Sequence, residues 1–193
     1  VSIKLIFSKP SVFTSAIFTS LFITISLLFF SPKIAGFFLY ILIACTFIPL
    51  PTPQVVILYG GEFSPLFVAV VGGVATCISG LINYGITAYL LSKNIAKPIK
   101  DSRLFRFSTR MFERAPFVSL VIAGFSPIPF DPFMFLSAAV CYSYTKYLLA
   151  IFVGRTPRYF LLAYLGERFY IPTPILIATI VVWIAIILIK GRK

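Results

Sequence analysis

Residues 66–91, LFVAVVGGVATCISGLINYGITAYLL, contain no charged side chain. A helix that crosses a hydrocarbon core of roughly 30 Å needs about 20 predominantly apolar residues, and this stretch exceeds that length. A chain built around such a run is expected to be an all-α polytopic membrane protein. The composition agrees: 60% of residues are hydrophobic, 17% aromatic and 11% charged, where a soluble domain is about half apolar and about a quarter charged. The same composition removes much chemistry. With no histidine, the chain has no imidazole base, no imidazole metal ligand and no Ser-His-Asp arrangement. Cys45, Cys77 and Cys141 lie far apart in apolar surroundings, form no CxxC pair, and read as packing residues. No Walker A loop, GxSxG elbow or dinucleotide glycine pattern occurs. The expectation is a protein that is not an enzyme and holds neither cofactor nor metal.

The formal net charge is +12, but its placement argues against nucleic acid. Basic residues gather at Lys4 and Lys9, within 93–114, and at Lys190, Arg192 and Lys193, each cluster flanking an apolar run. That is the pattern of the positive-inside rule, and it makes membrane lipids with anionic or phosphate headgroups the expected partners. From Ser102 the middle cluster reads as an amphipathic helix. Arg103, Arg106, Arg110 and Arg114 recur at helical spacing, and Leu104, Phe107 and Met111 hold the adjoining face. Such a helix lies in the bilayer interface with arginines toward headgroups; the alternative is a plain cytoplasmic linker that sets topology.

Turn residues divide the chain. Run 12–30, with no small-residue cleavage site after it, reads as a retained first span. Runs 34–48, 54–59 and 115–125 are too short to cross comfortably. Run 133–164 is apolar but carries Lys146, Arg155 and Arg158, and 175–189 begins a final span. The division is therefore 1–33 (N-terminal segment and first transmembrane helix), 34–92 (first repeat), 93–114 (basic helix), 115–168 (second repeat) and 169–193 (C-terminal transmembrane helix).

The word repeat rests on an internal match. Phe47-Ile48-Pro49-Leu50-Pro51-Thr52-Pro53 shares an F-x-P-x-P core with Phe125-Ser126-Pro127-Ile128-Pro129-Phe130-Asp131, 78 residues later. Each copy follows a short apolar segment and precedes small residues, Gly60-Gly61 or Ala138-Ala139, and then a long helix. Paired prolines remove amide donors and cannot continue a helix. Such backbone survives at membrane depth only where protein or a wet cavity satisfies it. The pattern predicts two re-entrant hairpins in an inverted repeat, with tips at Pro49, Pro51 and Pro53 and at Pro127, Pro129 and Pro132. With the N-terminus inside, the hairpins dip from opposite sides and all three basic clusters are cytoplasmic, as are both termini.

These residues resemble the DedA / SNARE-associated Golgi protein family, the VTT-domain proteins, and in particular its small YqaA-like branch. The resemblance is carried by Pro51-Thr52-Pro53-Gln54 with Gly60-Gly61, by Gly72-Gly73 and Gly80-Leu81-Ile82-Asn83-Tyr84, by Phe125 through Pro132, and by Phe152-Val153-Gly154-Arg155-Thr156-Pro157-Arg158-Tyr159. It covers roughly residues 35–170. It implies two re-entrant hairpins and movement of lipids across the bilayer: phospholipid scrambling in eukaryotic members, polyprenyl-phosphate recycling in bacterial ones. It implies the plasma membrane if the source is prokaryotic and an endomembrane if it is eukaryotic. Many bacterial members carry acids where Gln54 and Asn83 stand here, which makes passive movement easier to defend than proton-driven export.

Ionisable groups inside spans are costly, so they mark candidate sites. Arg155 and Arg158 suit a phosphate headgroup, because guanidinium binds phosphate oxygens in pairs. Asp131 is expected to neutralise them when no lipid is bound, and Glu62 joins the set as an acid next to the first hairpin. Lys146 reads as a side chain reaching the interface. Gly72, Gly73 and Gly80 read as a close-packing stripe that holds the long helix against its repeat mate. The expected function is a phospholipid scramblase or lipid-phosphate translocase. The alternatives are a small-solute or ion transporter on the same architecture and a membrane scaffold. The oligomeric state is left open.

Overall fold

Proline decides where the helices begin. Its ring fixes φ and lacks an N–H, so it suits the first turn, where amide donors have no intrahelical partner. The computed structural model describes residues 10–46, 50–92, 109–110, 112–126, 130–169, 174, 178–179 and 181–182; of residues 10–16, 29, 30, 92 and 131 only the backbone is described. Helices α1 (Pro10–Phe30), α2 (Pro32–Ala44), α3 (Thr52–Gly60), α4 (Pro65–Ser92), α5 (Pro116–Phe125) and α6 (Asp131–Ala139) each carry proline at their first or second residue. Helix α7 (Tyr144–Arg168) starts without one and holds Pro157 inside. No strand occurs among the described residues.

Two helices, Pro65–Leu91 within α4 and Tyr144–Arg168, are long and apolar enough to cross a membrane. They pack side by side in opposite directions: as the α4 number rises, its α7 partner falls. Gly72 faces the Tyr159 ring, Gly73 faces Thr156 and Phe152, Gly80 faces Ile151 and Tyr147, and Cys77 Sγ lies 3.6 Å from the Leu148 carbonyl. A Cβ on Gly80 would sit 2.7 Å from Ile151, so the small side chain is what permits this approach.

Around that pair sit two helical hairpins. In the first, α2 and α3 are joined by the Phe37–Tyr59 ring contact at 4.9 Å and by Tyr40 OH donating to the Pro51 carbonyl at 3.1 Å. Its open end lies against the C-terminal part of α7, where Gly60 meets the Ala163 backbone and Gly166 meets the Ile57 backbone. An exposed ion pair, Lys33 to Glu62 at 2.6 Å, closes that end. The Glu62 carboxylate holds the Lys33 ammonium above its ordinary pKa by a hydrogen bond and by charge. The pair's contribution is therefore fully present below the ordinary lysine range and is lost as pH rises through the raised value. In the second hairpin, α5 lies on α7 where Gly154 meets Val121 and Gly124. Its open end lies at the opposite end of the α4–α7 pair. There Tyr84 OH donates to the Tyr142 carbonyl at 2.7 Å, and Phe112 stands edge-on to Tyr142.

The run 133–164, continuous in its apolarity, is broken in the fold. Cys141 turns the chain with φ 53°, and its amide and that of Tyr142 bond back to Ala138 and Ser137. The break separates α6 from α7 and leaves Lys146 exposed in the first turn of α7.

Alongside the apolar core, one helix buries a row of polar side chains while large apolar ones face outward. Thr76, Ser79, Asn83 and Thr87 recur every three or four residues on the buried face of α4, while Phe18, Phe22, Leu66, Val118, Ile122 and Leu149 are exposed. A helix in water hides its apolar side; this one hides hydroxyls and an amide along with Val68, Ala69 and Ile78.

Candidate functional site

Cys45, just past α2, and Phe130, just before α6, meet around Arg155 at mid-height of α4 and α7, and a chain of directed hydrogen bonds starts there. Arg155 Nη1 donates to Tyr159 OH at 3.3 Å, one helical turn along α7. The Thr76 hydroxyl donates to the Gly72 carbonyl at 2.8 Å, so the 3.0 Å contact between Tyr159 and Thr76 is Tyr159 donating. The same Arg155 nitrogen lies 3.4 Å from Cys45 Sγ, and the guanidinium stacks over the Phe130 ring at 5.0 Å. Cys45 follows the last residue of α2 and Phe130 precedes α6. One arginine thus touches both hairpin turns.

Two further bonds hold the turns to the long helices. Asn83 Nδ2 donates to the Cys45 carbonyl at 2.7 Å, and Arg158 Nη1 donates to the Ser126 carbonyl at 2.8 Å. Both carbonyls belong to the residue just beyond a hairpin's first arm, where helix ends leave acceptors without intrahelical donors. The Thr46 hydroxyl donates to the Leu42 carbonyl and receives Ser79 at 3.2 Å. Arg158→Gln is therefore expected to loosen the second turn by about 1 kcal/mol, read as faster proteolysis near residue 126 in detergent with little change in global unfolding.

Between these groups lies a cavity of about 20 Å³ bordered by Cys45, Thr76, Asn83, Phe130, Tyr147 and Arg155. That is room for about one water-sized group. Among the polar atoms of its lining residues, Arg155 Nε, a donor, and Asn83 Oδ1, an acceptor, are buried without a hydrogen-bond partner. Among the described side chains Arg155 meets a thiol, a phenol and an aromatic ring, and no carboxylate. A guanidinium keeps its charge at any pH a cell reaches. A buried cation with neutral neighbours attracts an anion.

The sequence-derived candidates separate here. Arg155 borders the cavity and Arg158 stands one turn further on, tied to Ser126. Glu62 is not brought to them. It is exposed and paired with Lys33, next to Gly61, which abuts Gly166. Gly166 is 11 residues beyond Arg155 on α7, about 16 Å at 1.5 Å per residue. Asp131 opens α6, and its side chain lies outside the described residues, as do Pro49, Pro127, Pro129, Arg103 and Arg106. Pro51 is buried and Pro132 exposed; Arg110 and Arg114 are exposed. Cys45, Thr76, Asn83 and Tyr159 were not read as site residues from the sequence. Asn83 and Tyr159 stand in the motifs that carry the family resemblance; beyond that the signal was polar spacing, with Tyr159 four residues after Arg155 and Thr76 and Asn83 interrupting an apolar helix.

Among the described residues, fold and site define a helical protein with two helices long and apolar enough to cross a membrane and a positively charged centre. The model of the family described as the VTT domain matches residues 48–168, more than half of the chain, and the chain belongs to that family, the DedA family. The family comprises membrane proteins associated with transport and is not regarded as enzymatic. The chain is also similar to an uncharacterized protein of Haemophilus influenzae, 28% identical over 102 residues, which is 50% of this chain and 53% of that protein. The match thus spans about half of that relative's length. No solved structure matches the chain significantly.

Proposed function

We propose that this protein moves phosphate-bearing lipids across the bilayer, as a phospholipid scramblase or a lipid-phosphate translocase. The observation that carries the reading is Arg155: a guanidinium between two hairpin turns, with an unpaired Nε and no described carboxylate beside it. A phosphate oxyanion satisfies both the charge and the donor. The reading is supported by the two hairpins, which open toward opposite ends of the α4–α7 pair as an inverted repeat does. The exposed apolar flanks let acyl chains stay in lipid while a headgroup passes the centre. The cavity of about 20 Å³ is far smaller than a headgroup, so passage requires the hairpin turns to part. Purified protein in liposomes with acyl-labelled phospholipid tests this directly: labelled lipid exchanges between leaflets faster than in protein-free vesicles, and a rate equal to the protein-free control sinks the reading.

One observation favours a second reading. The central cavity holds about one water-sized group and is bordered by Thr76, Asn83 and Arg155, as suits a small solute or ion. Uptake of a radiolabelled anion by the same liposomes, without lipid exchange, would select it.

The topology is proposed to place the basic segment and both termini in the cytoplasm. In a variant lacking native cysteines, Glu62→Cys is expected to react with an impermeant maleimide from outside intact cells and Glu113→Cys only after lysis. The reverse pattern overturns the orientation.

A further inference from the structure

We infer that the central site selects headgroups in which a hydrogen-bond donor stands next to a phosphate oxygen, and that Asn83 is the residue that selects them. The inference rests on the proposed lipid movement and adds its chemistry. Two orphaned atoms belong to residues bordering one cavity, and they ask for opposite things: Arg155 Nε needs an acceptor, and Asn83 Oδ1 needs a donor. The orientation of the Asn83 amide is settled by its other end, since Nδ2 donates to the Cys45 carbonyl at 2.7 Å. The flipped amide would set oxygen against oxygen. Asn83 is 3% exposed, so an occupant that gives Oδ1 nothing leaves a buried acceptor bare.

A phosphate oxygen answers Arg155 in every phospholipid. What differs among headgroups is the second requirement. An ethanolamine ammonium, a glycerol hydroxyl and the O–H of a phosphate monoester each carry a donor within reach of the phosphate. A choline quaternary ammonium carries none. Sites built to hydrogen-bond a polar group discriminate strongly against an analogue lacking it, because their own buried group is left unpaired. Headgroups with a donor are therefore expected to cross roughly tenfold faster than choline headgroups.

Asn83 holds the first hairpin turn as well as bordering the cavity, so the test must separate the two roles. Asn83→Leu removes both the acceptor and the bond to Cys45. Asn83→Asp keeps acceptor oxygens, removes the donor to Cys45 and adds a negative charge to the cavity that Arg155 borders, so its ratio among lipids, and not its overall rate, is what is read. If Asn83 only braces the turn, both variants slow all lipids by one factor and the preference among lipids is unchanged. If it selects, Asn83→Leu brings the rate ratio of ethanolamine to choline lipid to about one, while Asn83→Asp keeps the ratio whatever its overall rate.

The experiment uses the full chain in liposomes with phosphatidylethanolamine, phosphatidylglycerol and phosphatidylcholine carrying the same acyl label, and in parallel with radioactive inorganic phosphate, which bears the same O–H beside an oxyanion. The inference predicts faster transfer of the first two lipids and loss of that advantage in Asn83→Leu. Asn83-dependent uptake of inorganic phosphate without lipid transfer supports the same donor-and-acceptor site and overturns the lipid reading. Equal transfer of all three lipids by the wild type, or an unchanged ratio in Asn83→Leu, overturns the selection by Asn83 and leaves lipid movement standing.

Discussion

Arg155→Gln is expected to lower transfer of labelled phospholipid at least about tenfold while the protein still inserts and purifies. The side chain supplies a positive charge to a centre whose other described groups, Cys45, Thr76, Asn83, Tyr147 and Tyr159, are neutral. Glutamine retains part of the length and a donor, so the loss reads on the charge. Stability should move little, because among the described side chains Arg155 has no carboxylate partner, and replacing a buried charge by a neutral side chain is often harmless. Loss of activity with little change in stability is the signature of a functional charge. Arg155→Lys should recover only part of the rate, since an ammonium cannot present Nε and Nη1 donors to separate groups. A wild-type rate in Arg155→Gln would make Arg155 a structural arginine and remove the basis of the proposed site.

Gly166→Val is expected to be the most destabilising single change of those considered, by roughly 3 kcal/mol. Here two backbones touch. A Cβ on Gly166 would fall on the Ile57 carbonyl, and one on Gly60 would fall on the Ala163 backbone. Side chains can swing aside from an added methyl; helix backbones cannot. Either valine must push α3 off α7, and with it the first hairpin, which Lys33–Glu62 closes only at the exposed surface. Denaturant or thermal unfolding in detergent should show both Gly166→Val and Gly60→Val well below wild type. Gly36→Ala is the matched control: its nearest neighbour would be Tyr59 OH at 3.8 Å, so no loss is expected. A wild-type midpoint for Gly166→Val would refute the close approach of α3 to α7.

Much of the helical framework was legible because its causes are local. The prolines at 32, 53, 65, 116 and 132 stand at helix starts, where a missing N–H costs nothing. Run 66–91 became α4 with its ends shifted by one residue. Run 133–164 spans α6 and α7: the repeat puts Ala138-Ala139 before the long helix, but no glycine or proline marks the turn at Cys141 that separates the two. Glu62 was grouped with the arginines because an acid near a hairpin is conspicuous in the sequence, yet its nearest opposite charge lay 29 residues earlier, at Lys33.

By itself the sequence determined the apolar runs, their proline boundaries and the clustering of basic residues beside them, all of which follow from the chemistry of neighbouring residues. The tertiary structure decided which polar groups share the centre. Arg155 and Cys45 are 110 residues apart, Tyr159 and Thr76 are 83, and the second pair meets where Gly72, Gly73 and Gly80 let α4 and α7 close together. Helical period tells which residues share a face; it does not tell which face of which other helix they meet. That Cys45, an apparent packing residue, stands against the guanidinium, and that Asn83 with an unpaired oxygen borders the same small cavity, are consequences of crossing and register, which no run of adjacent residues encodes.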